Sequence, residues 1–208
     1  MAAFPNIDVT DDLLVRARAG DGPALKQIYR QFERPVRTLA RRLLAHGAAA
    51  EDVAHDVFVD VITRLHQYEG RGSFAGWVRS IAVTRCLMHL RSPWQRSRRW
   101  LTRSFDHGDD DGTRDPWAQV ESTDAAATTD HGDTIDLQRA LARIGDTARA
   151  VVWLHDVEGY THAEIGELFG ASPSFSKSQL ARAHERLRAE LQPDKGVGSS
   201  CMPVSSIY

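Results

Sequence analysis

The sequence predicts an all-α protein, two small helical domains joined by a flexible acidic linker. Apolar residues recur every three or four positions in two separate stretches, the period of a single buried helix face. From Ser92 to about Asp136 that period disappears. Charge is also laid out in blocks: residues 1–104 hold 17 basic and 10 acidic residues, residues 105–136 hold 1 and 10, and residues 137–208 hold 8 of each. The 208-residue chain therefore averages to a net charge of −2 only because +7, −9 and 0 cancel.

Thr10 before Asp11 and Asp12 marks a helix start, with a capping hydroxyl and acids at the positive end of the dipole. That short helix carries Leu13, Leu14 and Val15 and stops near Gly20. Pro23, in a first turn where its missing N–H is harmless, opens a longer helix with Leu25, Ile28, Phe32, Val36, Leu39 and Leu43 inward. Pro35 within that stripe is expected to kink or split it. After His46-Gly47 a third helix turns Val53, Val57, Val61 and Leu65 to one side, with Glu51, Asp52, Asp56 and Asp60 on its other sides. A Gly-containing loop over 67–72 follows. Ser73 then caps a fourth helix with Phe74, Trp77, Val78, Ile81 and Ala82 inward, and Pro93 ends it.

The next segment is rich first in Arg and Trp (Trp94, Arg96, Arg98, Arg99, Trp100), then in Asp, Thr, Ala and Gly. Such a composition buries too little apolar surface to offset ordering entropy, which predicts a linker. Helices resume with Leu137, Leu141 and Ile144, then Ala148, Val151, Val152 and Leu154. Thr161 and Glu164 form a capping box ahead of Ile165, Leu168 and Phe169, with a stop at Gly170. Ser172 or Ser174 caps a last helix with Leu180, Ala183, Leu187 and Leu191 inward. The domains are thus 10–97 and 136–192, with a linker over 98–135 and a frayed tail over 193–208.

Several classes are excluded as expectations. No apolar run approaches the ~18–20 residues of a membrane span, and the first residues lack a signal-peptide layout. Cys86 and Cys201 neither staple a secreted scaffold nor cluster as metal ligands, so a cytoplasmic protein with no metal and no cofactor is expected. The run from His107 to Gly112 hints at a calcium loop, but Ala118 occupies the position that needs a bidentate Glu. His55-Asp56 and His155-Asp156 lack any nucleophile motif beside them, which disfavours an enzyme.

Two signals favour nucleic acid. A helix, a turn at Gly170-Ala171-Ser172 and a second helix read either as a DNA-binding helix-turn-helix or as neighbours in an ordinary bundle. Lys177, Arg182, Arg186 and Arg188 on the second helix, against Glu164 and Glu167 on the first, supply the cations that phosphate contact needs. Ser174, Lys177, Ser178 and Gln179 fall in its first turns, within reach of base edges. Between Glu69 and Asp106 there is no acidic residue but eight arginines, interleaved with Phe74, Trp77, Trp94 and Trp100. Arginines with aromatic rings suit single-stranded or melted nucleic acid. Phe74 and Trp77 serve equally well as core, whereas Tyr68, Trp94 and Trp100 lie outside the apolar stripes.

Two motifs carry a resemblance. Glu51-Asp52-Val53-Ala54-His55-Asp56-Val57-Phe58 and then Tyr68-Glu69-Gly70-Arg71-Gly72-Ser73-Phe74-Ala75-Gly76-Trp77 resemble region 2 of extracytoplasmic function (ECF) sigma factors of the sigma-70 family. The stretch from Asp156 through Tyr160-Thr161-His162 to Gly170, followed by Lys177-Ser178 and Arg182-Ala183-His184-Glu185-Arg186-Leu187, is similar to region 4. The resemblance implies a non-catalytic subunit, monomeric when free. It would join core RNA polymerase through the beta and beta' subunits, direct it to promoter DNA, and be restrained by an anti-sigma factor or other inhibitory regulator. It implies polymerase contacts at Asp52, Asp56 and Asp60, facing outward on the third helix. Melting and holding of the −10 element falls to Tyr68, Arg71, Ser73, Trp77, Arg79, Thr84, Arg85, Met88 and Arg91. Reading of the −35 element falls to Ser172, Ser174, Lys177, Ser178, Gln179 and Arg182, and the acidic linker would thread the polymerase near template and RNA. The alternative is a stand-alone helix-turn-helix regulator that needs no polymerase.

The chain departs from the family pattern in places. Thr84 and Met88 stand where asparagine and aspartate are usual, and His55 stands for glutamine. Ser174-Phe175-Ser176-Lys177-Ser178-Gln179 replaces a Gly-Thr-Val-Lys-Ser-Arg run, so Gln179 offers an amide suited to adenine where arginine is common. Ile144-Gly145-Asp146 replaces leucine-proline-proline, with Asp146 expected to cap the helix that follows.

Overall fold

A computed structural model describes residues 3–44, 47–91, 137 and 139–191, and they form helices and connecting turns with no strand among them. Four helices make the N-terminal unit: α1 (Asp11–Arg18), α2 (Gly22–Leu43), α3 (Gly47–Thr63) and α4 (Phe74–Arg91), with a 3-10 turn at Leu65–Gln67. The C-terminal unit has a helical segment over 139–143, then α5 (Asp146–Val152), α6 (His162–Phe169) and α7 (Pro173–Leu191). The linker and tail expected over 98–135 and 193–208, with Trp94, Trp100 and the calcium-like run, lie outside the described residues.

Thr10 caps α1 by accepting from the Leu13 N–H. α2, α3 and α4 pack against one another around Phe32, Val36, Leu43, Val57, Val61, Val78, Val83 and Leu87, all nearly or fully excluded from solvent. The 3.6-residue period of these side chains decides which face each helix buries. Pro35 does not split α2, which runs unbroken from Gly22 to Leu43. The lost hydrogen bond and ring clash, about 3 kcal/mol, are offset by the burial of Phe32 and Val36, about 1.5–3 kcal/mol each. Leu65 lies beyond the end of α3, in the 3-10 turn, and is still buried.

In the C-terminal unit α6 and α7 pack on each other, and α5 packs on α7, burying Val151, Leu154, Ile165, Leu180, Ala183 and Leu187. Thr161 Oγ1 accepts from the Glu164 N–H while Glu164 accepts from the Thr161 N–H, the capping box expected at this start. α6 stops at Gly170, whose φ of 63° is left-handed and suits glycine. Gly166 is required for space rather than for its dihedral angles. A Cβ there would lie 2.9 Å from the Ala171 carbonyl oxygen and 3.0 Å from Pro173 N, so only glycine lets the turn close this tightly over α6. Asp146 does not cap α5. Gly145 takes the cap position, and the Asp146 carboxylate accepts instead from Arg149 Nη2 at 2.8 Å. After Val152 the helix widens into a π turn, Trp153–Val157, which no periodicity announces.

Candidate nucleic-acid interface

The 68–73 loop is built around Tyr68. Its ring packs edge-on to Phe74 with centroids 5.2 Å apart and tilts against Trp77 at 5.6 Å, while its hydroxyl donates to the Gly72 carbonyl at 2.8 Å. Its own carbonyl accepts from Arg18 Nη2. At 8% exposure Tyr68 is no open platform for a base, as its place outside the stripes suggested; it shapes the loop. Phe74 is core, and Trp77 is half-buried beside it. Arg71 is exposed and pairs with Glu69, an exposed contact worth little. Ser73 Oγ accepts from the Gly76 N–H and so caps α4.

Along α4, Trp77, Ser80, Thr84, Met88 and Arg91 follow helical spacing, and the last four are exposed. Met88 keeps 51% of its surface in solvent. Arg85 and Arg79 are engaged. Arg85 Nη2 donates to Asp60 Oδ1 at 2.6 Å and its Nε donates to Oδ2. That hydrogen bond holds the Asp60 carboxyl below the usual carboxylate range and raises the Arg85 guanidinium. Asp60 is thus not outward with Asp52 and Asp56. It is buried at 6% exposure, tying α3 to α4, because it has rotated toward the helix interface. Asp52 and Asp56 are exposed, on a face they share with His55, Val59 and Ile62. Val59 and Ile62 are each 47% exposed, apolar side chains that lie off the core stripe and that sequence reasoning passed over.

Ser172, Ser174, Lys177, Ser178 and Arg182 are exposed at the start of α7, with Gln179 half-buried between them. Pro173 occupies the first turn and Ser172 precedes it. Beneath this surface, fully buried Ser176 meets His162 Nδ1 at 3.0 Å, and the His162 ring stacks on His155 at 4.5 Å. Desolvation, with the nearby charges of His155 and Lys177, lowers the His162 pKa. Asp156 bridges His155 Nδ1 at 2.8 Å and His184 Nε2 at 2.7 Å. Burial raises that carboxyl, but the two imidazoles outweigh it and the net shift is downward. The network joins the π turn to both helices of the helix-turn-helix.

A further set of residues lies where the units meet. Glu158 is buried, and its carboxylate accepts from Phe4 N at 3.1 and 3.2 Å and from Trp153 Nε1 at 3.2 Å. Arg79 Nη1 stands 3.5 Å away, and its guanidinium lies over the Tyr160 ring at 5.4 Å. Arg42 covers the Trp153 ring at 4.5 Å, and burial lowers its pKa. Among the described residues no group of His, Cys, Asp and Glu is arranged to hold a metal ion, and no helix is long and apolar enough to cross a membrane.

Residues 28–96 match the family described as Sigma-70 region 2, and residues 134–187 match Sigma-70 region 4. The ECF RNA polymerase sigma factor SigM of Mycobacterium tuberculosis is 31% identical over 182 residues, spanning 85% of this chain and 81% of SigM. The chain belongs to the ECF sigma factors. The RNA polymerase sigma factor CarQ of Myxococcus xanthus is 30% identical over 177 residues, 83% of this ECF sigma factor and 92% of CarQ. In fold it is similar to the sigma factor RpoE of Bartonella quintana, solved in complex with the anti-sigma factor NepR. The TM-score is 0.52 at 19% identity, over 80% of this chain and 95% of that one. Sigma factors are non-enzymatic transcription initiation factors, and this one directs RNA polymerase to promoters.

Proposed function

We propose a division of labour among three faces of this sigma factor. Asp52 and Asp56, with Val59 and Ile62, form the surface that docks on core polymerase, through its beta and beta' subunits. The −10 element is melted and held by Arg71, Ser73, Trp77, Arg79, Thr84, Met88 and Arg91, with Tyr68 and Arg85 positioning the loop and helix. The −35 element enters against Ser172, Ser174, Lys177, Ser178, Gln179 and Arg182. The domains run over 10–97 and 136–192, and residues 105–136, net −9, suit a cation-lined nucleic-acid channel. The factor catalyses nothing itself, acts in the cytoplasm as a single chain, and is restrained by an anti-sigma factor, as RpoE is bound by NepR.

The observation that carries this reading is that each matched segment leaves one helix face open. On α4 the exposed side chains Ser80, Thr84, Met88 and Arg91 line up, a polar, thioether and cationic surface suited to unstacked bases. On α7 the first turns expose hydroxyls and Lys177, the chemistry of phosphate and base-edge contact in a major groove. Run-off transcription with core polymerase on a promoter library tests it. Factor-dependent transcripts from a shared −35/−10 pattern are expected. Tight duplex binding by the free protein with no initiation on any template would instead mark a stand-alone regulator.

A further inference from the structure

The inward stripe of α7 begins with a polar residue. Ser176, Leu180, Ala183 and Leu187 follow one another at helical spacing and all four are buried, Ser176 completely. A hydroxyl set into an apolar stripe needs a partner, because a buried donor left unpaired is costly. Among the described residues Ser176 bonds to His162 Nδ1, 3.0 Å away in the first turn of α6. That bond ties the start of one helix of the helix-turn-helix to the first turns of the other, directly beneath exposed Lys177 and Ser178.

The charge on the imidazole decides what this bond can be. A neutral ring can offer an Nδ1 lone pair to the Ser176 O–H. A protonated ring donates from both nitrogens and leaves the buried hydroxyl proton without that acceptor. The surroundings also oppose a proton. The His155 ring of the π turn stacks on His162 with centroids 4.5 Å and planes 17° apart, and Lys177 of α7 adds positive charge. Asp156 acts in the opposite sense, but its oxygens are taken by His155 Nδ1 and by His184 Nε2 of α7. On α6 itself Glu164 turns back to Thr161. The cations that α4 brings to this side, Arg79 and Arg91, lie against Tyr160 and Gly170. Desolvation, with His155 and Lys177, keeps the His162 pKa below the ordinary imidazole value.

We propose that His162 is a positioning residue for −35 recognition: its neutral imidazole accepts from Ser176 and fixes the first turns of α7, so that a proton on His162 competes with sequence reading. The inference rests on the assignment of those turns to the −35 element made above. A group held below its ordinary value in the docked arrangement takes up its proton more readily once released. Docking therefore weakens as pH falls below the ordinary imidazole value of ~6.5, by at most about tenfold per pH unit for one proton. His162 itself touches no base in this account. It acts through Ser176, and what it controls is discrimination between sequences.

The test uses holoenzyme reconstituted from core polymerase and the full chain, on a factor-dependent promoter and on the same promoter with its −35 element scrambled. The readout is the ratio of the two closed-complex affinities between pH ~7.5 and ~5.5, a window that brackets the ordinary imidazole value. A histidine acting only as a surface cation would strengthen binding to both duplexes as pH falls and leave the ratio unchanged. The parent ratio should instead fall by about tenfold. His162→Asn offers a side-chain carbonyl to Ser176 that never titrates, and its ratio should stay within about twofold across the window. His162→Phe keeps a ring to stack on His155 but has no acceptor, and should give the low ratio at every pH. A flat parent ratio, or a His162→Asn ratio that falls as the parent's does, overturns the proposal. Protection of amides 174–178 against hydrogen exchange in the full chain, corrected for intrinsic pH dependence, should fall with pH in the parent and not in His162→Asn. If the parent fails to distinguish the two promoters at any pH, the assignment of α7 to the −35 element fails, and the exchange pattern still decides whether His162 positions α7.

Discussion

Replacing Gly166 by alanine puts the helix-turn-helix under a load that the structure allows to be sized. Gly166 lies inside α6, where alanine would ordinarily stabilise a helix by ~1 kcal/mol. The added Cβ would lie 2.9 Å from Ala171 O, 3.0 Å from Pro173 N and 3.0 Å from Ser172 C. Contacts at or below 3.0 Å are closer than Cβ atoms ordinarily make, so the turn must retreat by a few tenths of an ångström. All three atoms are backbone, so no side chain can swing aside to absorb the shift. Overpacking of this kind costs about 1–3 kcal/mol, and the helix gain of ~1 kcal/mol offsets part of it, leaving a net loss of up to roughly 2 kcal/mol. For a unit of this size that lowers the melting temperature by about 4–8 °C per kcal/mol. The retreat also moves Ser172 and Pro173, and with them the start of α7, so affinity for a −35 duplex should fall along with stability. Thermal unfolding followed by circular dichroism and duplex binding by anisotropy are the assays. Gly22→Ala is the control, since a Cβ there meets nothing within 4 Å. A Gly166→Ala protein that melts at or above the parent temperature, with unchanged duplex affinity, would refute the close-approach argument.

Asp60→Asn should cost about 1–3 kcal/mol at neutral pH, the range for a buried hydrogen bond to a charged group. Because Arg85 depresses the folded carboxyl, the pair's contribution is complete above the ordinary value of ~4 and fades as pH falls through the lower folded value. Urea unfolding from neutral to acid pH should therefore show the two proteins converging, and a constant difference would count against the pairing. Val59→Asp with Ile62→Asp, both at exposed sites, should weaken assembly with core polymerase roughly tenfold without loss of helicity, read by titrating holoenzyme formation. Gln179→Arg should move the selected −35 sequence toward guanine at one position, by about 1–3 kcal/mol of discrimination. An identical selected motif would remove Gln179 from the reading surface.

Much of the fold is legible in the residues themselves. The stripes of α2 and α4, the caps at Thr10, Ser73 and Thr161, and the stop at Gly170 are local signals, and local geometry obeys them. What escapes is set by distance or by small angles. Asp52, Asp56 and Asp60 look equivalent at four-residue spacing, yet each step turns ~40°, so Asp60 stands about 80° from Asp52 and meets Arg85. Tyr68 sits in a loop with no period to read; its ring packs on Phe74 and Trp77, and its carbonyl accepts from Arg18, 50 residues earlier. Glu158 belongs to the region 4 motif by sequence, but Phe4, one of the groups that bury it, lies 154 residues away. Val59 and Ile62 lie opposite the buried stripe of α3, where an apolar residue has meaning only once the core is seen to be complete without it.

The central assignment gives −10 melting to α4 and −35 recognition to α7. Permanganate reactivity of −10 thymines, measured with reconstituted holoenzyme on a factor-dependent promoter, separates the two directly. Met88→Ala with Arg91→Ala should abolish the reactivity while leaving the closed complex on duplex DNA, and Lys177→Ala with Arg182→Ala should lose the closed complex itself. Thymines that stay reactive in the α4 variant, or a closed complex that survives the α7 changes undiminished, would contradict the account.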